Sequence, residues 1–249
     1  LSQGQEKEDS MIALISSVPE EGKLFADQLK NRSVIGGKSV FQGRFCDRDV
    51  VYIVSGMGKV NAAHGATLLC EGYSPDVLVL FGVGGAYPST GLRVGDIAIA
   101  EKEIYGDEGV LAKDGFHGTD FIGIPLLKKR RKEYYNEFPL DKRLVSKTMK
   151  LITHQLSLNI ALKAGTFVTV SACTGTRKRA RELRERYSAL CENMEGAAVA
   201  HICAVYGIPM IEIRGISNIV EDRNRAKWNI PLAAANCRKA VSELLAHLP

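Results

Sequence analysis

The sequence predicts a single α/β domain, with a central, mostly parallel or mixed twisted sheet flanked by helices. Three observations predict it. Apolar, strand-like runs alternate with helical patterns from Met11 onward, as in parallel-sheet folds. One run, Val77–Phe81, is apolar throughout, the mark of a strand covered on both faces. With 249 residues and 45% hydrophobic composition the chain suffices for one substantial core, and α/β domains of this length are commonly single.

The elements follow in order. Met11–Ser16 reads as a buried strand, after which Pro19-Glu20-Glu21 opens a helix with Leu24, Phe25 and Leu29 at helical spacing. Phe41–Cys46 and Val50–Ser55 form a hairpin about Asp47-Arg48-Asp49. A helix over Lys59–Glu71 leads to the Val77–Phe81 strand. Ile97–Ala100 and Thr166–Val170 add strands, and Arg177–Tyr187 is a charged helix with Leu183 facing inward. Glu195–Val205 is a helix, Met210–Ile216 a strand and Pro231–Leu245 a closing helix. Between Glu101 and Leu144 the pattern weakens into a Gly-, Lys- and Tyr-rich excursion carrying loops. Residues 1–10 are polar and acidic and are expected to be a disordered leader or added remnant ahead of a natural start at Met11. Residues 11–249 then form the one functional domain.

Composition excludes several classes. The formal charge of +5 is small, and its densest run, Lys128–Lys132, is followed only by Tyr134 and Tyr135, so no nucleic-acid partner is expected. Met11–Ile15 is too short to span a membrane and no basic segment precedes it. The six cysteines (Cys46, Cys70, Cys173, Cys191, Cys203, Cys237) contain no C-x-x-C pair, which favours thiols in a reducing cytoplasm over disulfides or zinc.

Gly-rich segments invite cofactor readings. In Gly82-Val83-Gly84-Gly85-Ala86-Tyr87, Tyr87 stands where the third glycine of a dinucleotide fingerprint belongs. Gly37-Lys38-Ser39 ends like a phosphate-binding P-loop, yet Arg32 replaces the leading glycine. Neither a cofactor nor a metal is expected. Gly82–Gly85 therefore reads either as a turn bringing backbone close to a ligand at a strand's carboxyl end or as a tight turn needing positive φ. Glu195 stands where a polar lead-in meets an apolar helix, a costly place for a carboxylate without a partner; a first-turn acid on the helix dipole is the plainer account. In Arg214-Gly215-Ile216-Ser217-Asn218, polar groups at a strand end either reach a crevice or cap a loop.

Together, Ser55–Ala63, Gly82–Ala86, Val94-Gly95-Asp96, Asn193–His201 and Arg214–Asn218 resemble, in order, the motifs of the nucleoside phosphorylase and nucleosidase superfamily. Within it the chain is most similar to the 5′-methylthioadenosine/S-adenosylhomocysteine nucleosidases and, more closely, to the futalosine hydrolases of the alternative menaquinone route. The resemblance implies a nucleoside phosphorylase-like fold that takes a small-molecule nucleoside and assembles as a homodimer or larger homo-oligomer. It implies that Glu21 is the catalytic carboxylate that activates water. Met194 and Glu195 then bind ribose beside Asn193, Asn218 contacts the purine N7 edge next to Ser217, and Trp228 lids the 5′ substituent. Val83, Gly84 and Gly85 belong to the substrate-binding set, as do Ser171, Cys173 and Thr174 of the base-lining loop, which is shorter here.

Two departures choose among branches. Phosphorylases hold phosphate with an arginine ahead of the glycines and a serine among them, whereas Leu80 and Val83 stand here, so water is the expected nucleophile. Adenine-directed nucleosidases place an aspartate where this chain has Asn218, whose amide suits a 6-oxopurine. The implied reaction is hydrolysis of futalosine to hypoxanthine and dehypoxanthine futalosine. Its rivals are methylthioadenosine or aminodeoxyfutalosine nucleosidase, purine nucleoside phosphorylase and a non-catalytic nucleoside-binding protein.

Overall fold

The computed structural model describes residues 10–153 and 159–248, so most of the segment expected to be a leader, residues 1–9, lies outside the described residues. The first strand, β1 (Met11–Ser16), is apolar and buried from its second residue. Helix α1 (Pro19–Gln28) begins at a proline whose fixed φ suits a first helical turn. Strands β2 (Asn31–Ile35), β3 (Lys38–Phe45) and β4 (Arg48–Val54) form an antiparallel meander. Its first turn holds Gly36 and Gly37 at positive φ, so Gly37-Lys38-Ser39 belongs to a hairpin. The expected second turn shifts back, with Cys46 and Asp47 taking the left-handed conformations.

Helix α2 (Lys59–Tyr73) leads to β5 (Val77–Ala86), which is buried along nearly its whole length. This corrects the reading of Gly82–Gly85 as a turn, because the glycines continue the strand. They are required by close approach: an added Cβ would lie 2.5 Å from Glu21 Oε1 at Gly82, 2.6 Å from Cys191 Sγ at Gly84 and 2.7 Å from Val220 Cγ2 at Gly85.

The expected strand at Ile97 runs past Ala100 as β6 (Ile97–Tyr105). Two small hairpins follow, β7 (Val110–Ala112) with β8 (Gly115–His117) and β9 (Leu127–Lys129) with β10 (Lys132–Tyr134); β11 (Glu137–Pro139) then returns to pair β6. The excursion is thus more ordered than its composition suggests. Helix α3 (Lys142–Thr153) buries Val145, Thr148 and Ile152 at helical spacing. The remaining elements are β12 (Leu162–Thr169), α4 (Arg177–Tyr187), β13 (Ala189–Asn193), α5 (Gly196–Tyr206), β14 (Met210–Ile219) and α6 (Ile230–His247). Leu183 is fully buried on α4, as its charged surroundings led one to expect.

The sheet is mixed. Its order is β11-β6-β12-β13-β5-β1-β4-β3-β2, and β14 pairs with both β5 and β6. Strands β5, β13, β12, β6 and β14 therefore close on one another in a ring. No helix among the described residues is long and apolar enough to cross a membrane. Described cysteines are all free thiols, with Cys70, Cys191, Cys203 and Cys237 buried.

Candidate active site

The site lies where β1, β5, β13 and β14 deliver their polar residues. Glu21 is the third residue of α1, and the turn before that helix points two unpaired amides at it: Ser17 and Val18 donate to Oε2 at 3.0 and 3.1 Å. From β5, Val83 N donates to Oε1 at 2.9 Å. The carboxyl is 4% exposed, and burial raises its pKa above the ordinary carboxylate value against the pull of Arg214 and the amides. A carboxylate so held cannot rotate away, while Oε1 accepts one of these amides and keeps a lone pair for a ligand.

Opposite stands Glu195, which is the N-cap of α5 and equally buried. Its Oε1 accepts from Gly58 N at 3.0 Å, a backbone amide presented by a glycine at φ 92. Asn193 sets the same helix end, since Oδ1 accepts from Glu195 N at 2.9 Å and Gly196 N at 2.7 Å. Glu195 is thus held at both its main chain and its side chain.

Arg214 meets Glu195 directly and reaches the Glu21 side only through Val83, the residue whose amide holds that carboxyl. It is 1% exposed, places Nη2 3.3 Å from Glu195 Oε2, donates Nη1 to Val83 O at 3.2 Å and pairs through Nε with Glu212 at 2.9 Å. Burial disfavours the cation, but Glu212, Glu195 and Glu21 more than offset this and push its pKa above the usual guanidinium value. Sequence reasoning quoted Arg214 within a motif and gave it no role. The signal was present: Glu212 and Arg214 lie two apart in an apolar strand, hence on one face.

A second group faces a cleft of about 280 Å³ lined by Val94, Thr174, Asn218, Asp222, Arg223 and Trp228 among others. Asn218 pairs in register with Gly85 on β5. Ser217 Oγ donates to its Oδ1 at 2.8 Å and its Nδ2 donates to Ile219 O at 3.2 Å, which fixes the amide while leaving one lone pair and one hydrogen. The base-lining loop is tied down by Glu192, whose carboxylate accepts from Thr174 N at 2.9 Å, Thr174 Oγ1 at 2.6 Å and Tyr87 OH at 2.9 Å. Cys173 Sγ lies 3.2 Å from Met194 Sδ, which brings that loop to the Met194–Glu195 pair. Arg223 sits 4.7 Å over the Trp228 ring.

The structure brings Glu21, Val83, Asn193 and Glu195 together and sets Thr174, Asn218 and Trp228 on the neighbouring cleft, while Gly85 pairs beside Asn218 and Ser217 bonds Gly84 O and Asn218 without lining it. Ser171 stands apart: it is exposed, and its N–H donates to Asp107 at 2.6 Å, beside the ion pair of Asp107 with Lys59. Among the described residues, no group of three or more His, Cys, Asp or Glu side chains is placed to hold a metal ion.

Comparison with known proteins shows the chain's family and fold. The model of the family described as "Phosphorylase superfamily" matches residues 11–246. The chain is 34% identical over 196 residues to futalosine hydrolase of Thermus thermophilus, covering 79% of this chain and 81% of the relative. Among solved structures it resembles the 5′-methylthioadenosine/S-adenosylhomocysteine nucleosidase of Neisseria meningitidis in complex with methylthio-immucillin-A, with a TM-score of 0.81 at 23% identity over 96% of this chain and 100% of the other. It likewise resembles native futalosine hydrolase of Helicobacter pylori, with a TM-score of 0.81 at 18% identity over 96% and 98%.

Proposed function

The chain belongs to the phosphorylase superfamily, and on that premise we propose that it hydrolyses the N-glycosidic bond of a purine nucleoside, with futalosine as substrate and hypoxanthine as the released base. The observation that carries the reading is the pair of buried carboxylates, Glu21 and Glu195, the second of them paired with buried Arg214, next to the Asn218 cleft. Cleaving an N-ribosidic bond develops oxocarbenium charge on the sugar and negative charge on the departing base. Glu21 acts as general base toward water, and its raised pKa makes it a better proton acceptor than an ordinary carboxylate. Glu195 accepts from the ribose hydroxyls and orients the sugar.

At the base, Asn218 offers a hydrogen to O6 and a lone pair to a protonated N7, which supports a 6-oxopurine. Leu80 is fully buried, and Val83 spends its amide on Glu21 and its carbonyl on Arg214. Both positions therefore favour water over phosphate as nucleophile. Trp228 covers the 5′ arm. Of Arg223, Arg225 and Lys227, the cations near it, Arg225 does not line the cleft and Lys227 is paired with Glu221 at 2.8 Å, so Arg223, already over the Trp228 ring, is the one we assign to the arm's carboxylate.

This reading places the enzyme in the cytoplasm, in menaquinone biosynthesis by the futalosine pathway, with residues 11–249 as its nucleosidase domain. It also carries a homodimer or larger assembly, supported by the exposed apolar side chains of Val60, Leu111, Phe121, Ile122 and Ile124. The test is product analysis with inosine, methylthioadenosine and futalosine, each with and without phosphate. Hypoxanthine released from futalosine independently of phosphate is the expected result. Preferential release of adenine, or turnover that requires phosphate, would overturn the substrate or the nucleophile respectively.

A further inference from the structure

Against Asn193 and Arg214 lie two carboxyl groups that the reaction does not use. Glu103 of β6 is fully buried, and so is Glu212 of β14. Both crowd the first residue of α5: a Cβ added to Gly196 would lie 2.0 Å from Glu103 Oε1 and 2.5 Å from Glu212 Oε2. Glu103 is surrounded by donors, accepting from Asn193 Nδ2 at 2.6 Å and from Thr169 Oγ1 at 2.8 Å. Glu212 has one, Arg214 Nε at 2.9 Å on Oε1, and its Oε2 is a buried oxygen without any donor if both acids are ionised. The charged groups facing the pair are Arg214 and, beyond it, Glu195; the neutral ones are Thr169, Asn193 and the Cys191 thiol.

A buried oxygen without a partner and two adjacent anions are both costly, and one proton removes both costs. We propose that Glu103 carries that proton and donates it to Glu212, and that the pair acts as positioning residues that hold Glu195 in place from two directions. One direction runs through the main chain: Glu103 fixes Asn193, whose Oδ1 fixes the amides of Glu195 and Gly196. The other runs through the side chain: ionised Glu212 fixes Arg214, which meets the Glu195 carboxylate. Burial first, and then the neighbouring Glu212 charge, push the Glu103 pKa well above the ordinary value, in keeping with its being the neutral member. The partial positive charge at the start of α5 stabilises the single remaining anion.

The positioning role rests on the function proposed above, whereas the shared proton does not. Infrared difference spectra of unliganded protein at neutral pH, Glu103→Gln against wild type, should show the loss of one neutral carboxylic-acid carbonyl band that shifts in D2O. Absence of that loss overturns the shared proton. In hydrolysis assays with futalosine, Glu103→Gln, which keeps an uncharged hydrogen-bonding group, should stay within about threefold of wild-type kcat/KM, while Glu103→Ala and Glu212→Gln each fall by about tenfold or more, as for lost hydrogen bonds to charged groups. Equal losses in Glu103→Gln and Glu212→Gln, or no loss in Glu212→Gln, overturn the positioning role. If Glu212→Gln does not fold, Glu212→Asp keeps the charge while shortening its reach to Arg214, and unchanged kcat/KM in that variant counts against the role equally. A wild-type enzyme inactive on every nucleoside would defeat the function proposed above and leave the infrared result to decide the pair.

Discussion

The two halves of the site are built differently. Around the sugar, Glu21, Glu195 and Arg214 are almost fully removed from water, and the two carboxylates accept backbone amides supplied by the turn before α1, by β5 and by Gly58. Around the base, Thr174, Asn218 and Trp228 are half-buried, and the rim is laced by ion pairs at solvent such as Lys227 with Glu221 and Arg177 with Asp222. Buried charges held by main-chain donors do not reorganise as the reaction proceeds, whereas surface pairs are screened and individually weak. On the proposed function, the comparison assigns the rate to the deep half and the choice of substrate to the shallow one.

The largest expected effect tests the deep half. Glu21→Gln should lower kcat by about 10²–10⁴-fold while leaving the fold intact, as judged by circular dichroism and turnover together. Near wild-type kcat would remove the general-base role. The same residue sets the pH dependence. Because the folded pKa of Glu21 is raised and the base form is the ionised one, kcat/KM should fall with decreasing pH along a limb centred above the ordinary glutamate value of about 4.3. A limb at or below that value would contradict the burial argument.

Glu195→Gln comes next. Loss of hydrogen bonds to a charged acceptor should lower kcat/KM on ribosides by about 10–100-fold, and by less on 2′-deoxyribosides, which lack one partner hydroxyl. Equal losses on both sugars would break the division between the halves. In the shallow half, Asn218→Asp should move the ratio of kcat/KM for 6-amino over 6-oxo purine nucleosides upward by about 10–100-fold, the cost of one mismatched buried polar contact. A ratio that stays put would show that Asn218 does not read the base. Smallest is Arg223→Ala, expected to lower selectivity for futalosine over inosine by a few-fold, since cation–π and rim charge contacts contribute on the order of 1 kcal/mol. Unchanged selectivity would leave the 5′ carboxylate unassigned.

Sequence pattern made the order of elements legible because most of them are amphipathic or continuously apolar. It missed β2, whose five residues are all exposed at the sheet edge and show no alternation. It also missed β13, where Glu192 and Asn193 are polar yet buried because Thr174, Tyr87 and the start of α5 supply their partners. Helix α3 carried a readable spacing at Val145, Thr148 and Ile152 that the neighbouring Gly- and Lys-rich stretch obscured. Of the site, Glu195 stood out as an acid where a polar lead-in meets an apolar helix, while Glu21 was reached only through the family resemblance. The glycines of β5 were misread because a turn is a local inference, while the true constraint, the Glu21 carboxyl lying against Gly82, joins elements far apart in the chain. Glu103 was silent for the same reason, whereas Glu212 was legible only together with Arg214, two residues on in the same strand.

The ring of strands also dictates when the enzyme becomes competent during its own synthesis. Strand β14 is nearly the last element to leave the ribosome, yet it must slot between β5 and β6, made far earlier, and it brings Arg214, Ser217 and Asn218 with it. Until it docks, the nascent protein has two open sheet edges and lacks Arg214 and Asn218. A chain arrested after Gly207 should therefore bind no purine, however well β1 to β6 have paired. On the proposed function, catalytic ability arrives in one late step.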